Sequence, residues 1–212
     1  MSKKTFPTLW DLHPDVRMDI LKRQIAAPPG WILRDYSAEQ KGPWKGTPGF
    51  GSFPLKWIHD AEQLCAFHGC QFKLLPSKTN FDWGSFHAGS KRANDPRRIT
   101  IYVGDDAQGD RFLPSTTFAS TLSHELAHAI QWNVYGHPRT HIPGYRKLLS
   151  ANLAFEQEAC RLAFFIWKKL MSDRVPGLNT SSFRSYDKLA NQLFLLQTDS
   201  KLVDDLGLSK RV

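Results

Sequence analysis

Cysteine is scarce in this chain. The 212 residues include three, Cys65, Cys70 and Cys160, with no Cys-x-x-Cys pair, which argues against both a disulfide scaffold and a zinc ribbon. No apolar run approaches the length of a transmembrane helix. The start, Met1-Ser2-Lys3-Lys4-Thr5-Phe6-Pro7, lacks the apolar stretch of a signal peptide, so a cytoplasmic location without membrane attachment is expected. There is no internal repeat and no low-complexity tract. Acidic residues are outnumbered, 20 against 28 basic ones, for a formal charge of +8. Such an excess favours encounter with nucleic acid or another acidic partner and says nothing about fold.

What is present reads as one globular domain with an extension: 41% of residues are hydrophobic and 23% charged, as in ordinary water-soluble proteins. Pro14 suits a first helical position, and Asp15 to Ala26 follows as a helix with Val16, Ile20 and Leu21 or Ile25 on its apolar side. Ala27-Pro28-Pro29-Gly30 ends it. Residues 30–54 interleave Trp31, Tyr36, Trp44, Phe50 and Phe53 with glycine, proline, Lys41 and Lys45. Two readings fit: a long loop packed by its own aromatics, or a stacking surface for single-stranded nucleic acid. We therefore divide the chain into an N-terminal extension, 1–54, and a main domain, 55–212.

Leu55 to His68 reads as a helix closed by Gly69. His59, Cys65, His68 and Cys70 cluster in sequence but fit no ligand spacing, so they read as core or surface residues. Strands are expected at Cys70–Leu74, within Phe81–Ala88, and at Ile99–Val103, which is β-branched or aromatic throughout. Asp105 to Pro114 reads as a loop.

Next comes a helix from Thr116 to about Tyr135, with Ser115 as N-cap and Gly136 and Pro138 as stop signals. Its apolar stripe is Phe118, Leu122, Leu126 and Ala129. Thr121, His124, His128 and Gln131 form an adjacent stripe. Within it, His124-Glu125-Leu126-Ala127-His128 is a His-Glu-x-x-His motif: imidazoles four apart share one helix face about 6 Å apart along the axis. They can bind one Zn2+, with Glu125 reaching a metal-bound water. Further helix is expected from Tyr145 to Met171 and from Ser185 to Leu195.

A catalytic zinc usually takes three protein ligands. Two candidates for the third stand in the sequence. His141 follows the turn. Glu158 lies in Phe155-Glu156-Gln157-Glu158-Ala159-Cys160, whose two carboxylates face the site or its surroundings, or stand exposed.

Over about residues 84–150 the chain resembles the SprT-like zinc metalloproteases. The resemblance rests on a strand (Ile99–Val103), the His124–His128 motif, Trp132, Tyr135-Gly136, His141 and Tyr145-Arg146-Lys147. It implies an α+β, zincin-like fold: a small mixed sheet on an active-site helix, flanked by further helices. It also implies His124, His128 and His141 as zinc ligands and Glu125 as general base. Ile142 stands where that family usually has glycine, and the cysteine ribbon of many members is missing. The Glu-x-Glu-Ala stretch is instead similar to ImmA/IrrE-like peptidases, where a glutamate on the next helix completes the site.

The expected activity is hydrolysis of protein or peptide substrates. Ile99–Val103 would be the edge strand to which an extended substrate adds; Tyr145 could hydrogen-bond the oxyanion, whereas the resemblance implies a packing aromatic there. Lys91, Arg92, Arg97, Arg98, Arg139, Arg146 and Lys147 make DNA a further expected partner, or else form a solvated surface. Two alternatives remain: a regulatory peptidase that cleaves one repressor, and a non-catalytic nucleic-acid-binding module with structural zinc.

Overall fold

The computed structural model describes residues 8–31, 55–76, 83–89, 94–105, 111–112, 115–136 and 149–171. Expectations for 32–54, for the turn and His141 after Gly136, and for the helix at 185–195 lie outside the described residues.

Helix α1 spans Pro14–Gln24 with proline in its first turn, and the His13 side chain accepts from the Asp15 amide. Met18, Leu21 and Ile25 turn inward. Val16, expected on the apolar side, is 51% exposed. Helix α2 spans Leu55–Phe67. It ends in a Schellman motif, Cys70 N–H to Cys65 C=O and Gly69 N–H to Ala66 C=O, with Gly69 at φ +71°. Cys65 and Cys70, which bracket that motif, are buried.

The sheet runs β1 (Gln71–Pro76), β3 (Arg98–Asp105), β2 (Gly84–His87). β1 pairs with β3 in parallel, Phe72 opposite Ile99, while β2 pairs antiparallel, Phe86 opposite Ile99. Ile99–Val103 is thus the central strand, not the edge strand expected of it. Its composition fits this: Ile99, Ile101 and Val103 are fully buried and Thr100 nearly so, so both faces of the strand are covered, as is usual inside a sheet with packing on both sides. β2, with Gly84 and Ser85, is half-buried and, among the described strands, forms one edge of the sheet, β1 the other. Within the expected 105–114 loop, Arg111–Phe112 forms a short β4 against Gly104 and Asp105.

Helix α3 spans Ser115–Tyr135, beginning at the residue expected to cap it. Phe118, Leu122, Leu126 and Ala129 are fully buried as the stripe predicts. Phe118 stacks on Trp57 at 5.5 Å and meets Phe72 edge-on at 6.3 Å, tying α3 to α2 and β1. Helix α4 spans Leu149–Leu170. Ser123 Oγ donates to Met171 Sδ at one end of the α3–α4 pair and Gln131 Nε2 to the Phe155 carbonyl at the other, so the two helices run antiparallel. One hydrophobic core takes in Leu9, Leu21, Ile25 and Trp31 together with α2, the sheet, α3 and α4. The architecture is mixed α+β. No helix among the described residues is long and apolar enough to cross a membrane.

Candidate metal centre

The second stripe of α3 does not face open solvent. Thr121 and Gln131 are fully buried and His124 and His128 nearly so, because α4 and β2 close over them. The imidazoles come together at that junction. His124 Nε2 and His128 Nε2 are 3.2 Å apart. Glu156, from α4, places Oε2 3.5 Å from the first and 3.3 Å from the second. The three ligand atoms lie within 4.8 Å of one another, and this is the one such group of histidine, cysteine and carboxylate side chains among the described residues.

Each imidazole is held from behind. His128 Nδ1 meets Gln131 Oε1 at 2.9 Å, and its ring is sandwiched between Phe155 at 5.5 Å and Phe86 of β2 at 6.4 Å. His124 Nδ1 meets the Cys160 thiol at 3.6 Å. Glu156 and Cys160 are four apart on α4 and so share a face. One helical turn therefore supplies both a carboxylate in front of the imidazoles and a thiol behind one of them.

Charge and burial act in opposite directions on these groups. Burial disfavours the His128 cation, but the hydrogen bond and charge of Glu156, with the charge of Glu125, hold its pKa up at about 9. Burial also opposes ionisation of Glu156, yet the hydrogen bonds and charges of the two histidines keep its carboxyl well below the usual carboxylate range. Glu125 is almost fully buried beside them. Its pKa is raised: desolvation lifts it, the charges of His124 and His128 offset that only in part, and the charge of Glu156 adds to it.

Of the residues singled out in the sequence, the fold brings His124, Glu125 and His128 together. Glu158 is not with them. It is buried on the far side of Gln131, where Oε2 accepts from Gln131 Nε2 at 2.8 Å and Oε1 from the Tyr135 hydroxyl at 2.6 Å and the Leu9 amide. Residues two apart on a helix do not face one another, so Glu156 takes the place beside the imidazoles and Glu158 a different one. His141 and Tyr145 lie outside the described residues. Cys160 and Gly84 carried no motif signal in the sequence. His68 Nε2 bonds the Ala26 carbonyl, and His59 is exposed and paired with Gln63, so the histidine–cysteine cluster of α2 divides between core and surface.

Two of the basic residues expected to meet DNA are engaged within the chain. Arg97 donates to Asn133 Oδ1 and the His68 carbonyl, and Arg98 pairs with Asp95 at 3.7 Å. Lys91, Arg92, Arg139, Arg146 and Lys147 lie outside the described residues. No family model, curated protein or solved structure matches the chain.

Proposed function

We propose that the chain is a zinc-dependent metallopeptidase of zincin-like architecture, with His124, His128 and Glu156 as metal ligands and Glu125 as general base. One observation carries the reading: two imidazole nitrogens and a carboxylate oxygen converge within 4.8 Å, with a second carboxylate, the buried Glu125, next to His124 in sequence. The donor set fits a catalytic zinc. Two histidines and a glutamate leave one coordination position open, whereas a structural site is closed by four ligands. A zinc ion held there would polarise the scissile carbonyl and lower the pKa of a water molecule.

The rest falls to the protein. Glu125 takes a proton from the attacking water onto a carboxylate oxygen and delivers it to the leaving amine nitrogen. Burial suits it to that role, since desolvation raises its affinity for a proton. β2 is the edge strand adjoining the site, with Phe86 stacked on His128. An extended substrate adds to that edge by backbone hydrogen bonds, a mode that selects flexible chains over particular sequences.

A ligand on the helix after the motif is the scheme of the ImmA/IrrE-like resemblance, moved two residues towards the N-terminus from Glu158. The SprT-like scheme instead requires His141. With Arg97 and Arg98 engaged internally, a protein or peptide substrate is better supported than a DNA partner.

Zinc content tests the assignment. Wild type and His141→Ala should each carry one zinc per chain after exchange against a weak chelator, and Glu156→Ala should carry none. Zinc lost from His141→Ala but kept by Glu156→Ala would overturn the ligand set, and a wild type without zinc would overturn the metal site.

A further inference from the structure

Gln131 sits at the centre of a buried chain of polar groups that the peptidase chemistry does not use. On one side its Oε1 faces His128 Nδ1 at 2.9 Å; on the other its Nε2 lies 2.8 Å from the Phe155 carbonyl and 2.8 Å from Glu158 Oε2. Glu158 is held in turn by the Tyr135 hydroxyl and by the backbone amide of Leu9, in the 3-10 turn ahead of α1. Gln131 and Leu9 are fully buried and Glu158 almost so, so each hydrogen bond has a definite direction. A buried donor facing a donor is costly.

That direction has a chemical consequence. A backbone carbonyl and a carboxylate accept and do not donate, so the Gln131 amide must turn its NH2 towards Phe155 and Glu158. Its oxygen is then left facing His128, and an oxygen there requires a proton on Nδ1. With Nδ1 protonated, the free lone pair of a neutral His128 is on Nε2, the nitrogen directed at His124 and Glu156. We propose that Gln131 and Glu158 are positioning residues forming a relay that fixes His128 in its metal-binding tautomer, and that the Leu9 amide anchors the far end of that relay. This rests on the metal-site reading above and extends it. At His124 the partner seen at Nδ1 is the Cys160 thiol at 3.6 Å, a weak hydrogen-bonding group.

The chemistry of the relay dictates its own test. In Glu158→Gln an NH2 group replaces one acceptor oxygen and must face either the Gln131 amide or the Leu9 N–H, a donor against a donor in both cases. In Gln131→Met the acceptor for Nδ1–H is removed outright. Exchanging the two residues, Gln131→Glu with Glu158→Gln, restores the polarity from His128 through 131 to 158, since the new amide at 158 donates to a carboxylate at 131 that accepts from Nδ1–H; the Phe155 carbonyl alone loses its donor. Zinc affinity is measured by competition with a chromophoric chelator, on proteins whose folding is checked by far-UV circular dichroism. Each single variant should bind zinc about 10- to 100-fold more weakly, the usual cost of losing a partner behind a metal ligand. The exchanged pair should bind at least about tenfold more tightly than Glu158→Gln, a recovery that a purely packing role does not predict. Wild-type affinity in both single variants would overturn the relay while leaving the metal site standing. If Glu158→Gln fails to fold, Gln131→Met alone decides: wild-type affinity there rejects the relay. Absence of zinc from the wild type would reject the metal site and the relay together.

Discussion

Gly84 and Glu125 lie so close that no side chain fits between them. A Cβ placed on Gly84 would stand 2.9 Å from Glu125 Oε1, 3.0 Å from its Cγ, and 2.5 Å from Thr121 Cγ2. The edge strand is thus pressed against the carboxylate assigned to proton transfer, and glycine is what allows the approach. Gly84→Ala would have to displace either β2 or the buried side chains of both Thr121 and Glu125. We expect cleavage to fall by about 10- to 100-fold, since a displacement near 1 Å at a reacting group can cost that much. Zinc content should not change, because the atoms nearest the added methyl belong to Thr121 and Glu125, neither of them a proposed ligand. Steady-state cleavage of an unfolded protein, with metal analysis of the same preparation, checks both statements. An alanine variant as active as wild type would mean that Glu125 is not held in place by β2.

Glu125→Gln separates binding from chemistry. The amide fills the same volume but cannot accept the water proton. Cleavage should drop by about 10²- to 10⁴-fold, the range a positioned general base contributes, while zinc stays at one per chain. Unchanged cleavage would remove Glu125 from the mechanism.

Much of this site was legible in the sequence because it is local. The four-residue spacing of His124 and His128 states its own geometry once a helix is assumed, and Phe118, Leu122, Leu126 and Ala129 supply the helix. Distance in sequence and tertiary packing hid the rest. Glu156 and Glu158 look alike as letters. Only the placement of α4 against α3 sends the first to the imidazoles and the second to Gln131, Tyr135 and Leu9. Strand order was hidden for a similar reason. The run Ile99–Val103 announces a strand, but its central position depends on β1 and β2 both choosing it as partner. Gly84 was silent because a glycine in a short, half-polar strand carries no sign of what approaches it. Val16 shows the converse: an apolar residue on a helix face is no proof of burial when that face lies at the edge of the core.

The stability of the metal-free fold should depend on pH through His68. This residue is buried at the end of α2, with Nε2 on the Ala26 carbonyl and Arg97 donating to its backbone oxygen. Burial lowers its pKa from the ordinary 6.5; the Ala26 hydrogen bond opposes that shift and the Arg97 charge adds to it. The unfolded chain therefore takes up a proton at His68 before the folded chain does. The resulting stabilisation is fully present above the ordinary histidine value and is lost as pH falls from there towards the lower folded pKa. While only the unfolded state is protonated, the slope for this one group approaches about 1.4 kcal/mol per pH unit. His68→Gln keeps a donor for the Ala26 carbonyl and has no proton to gain. Other groups titrate as well, so the informative quantity is the difference between wild type and variant. Denaturant unfolding of the metal-free proteins at several pH values from about 7.5 to about 5.5, spanning the ordinary histidine range, should show wild type losing stability relative to His68→Gln as pH falls. A difference that stays constant across that range would show that His68 titrates alike in the folded and unfolded chains.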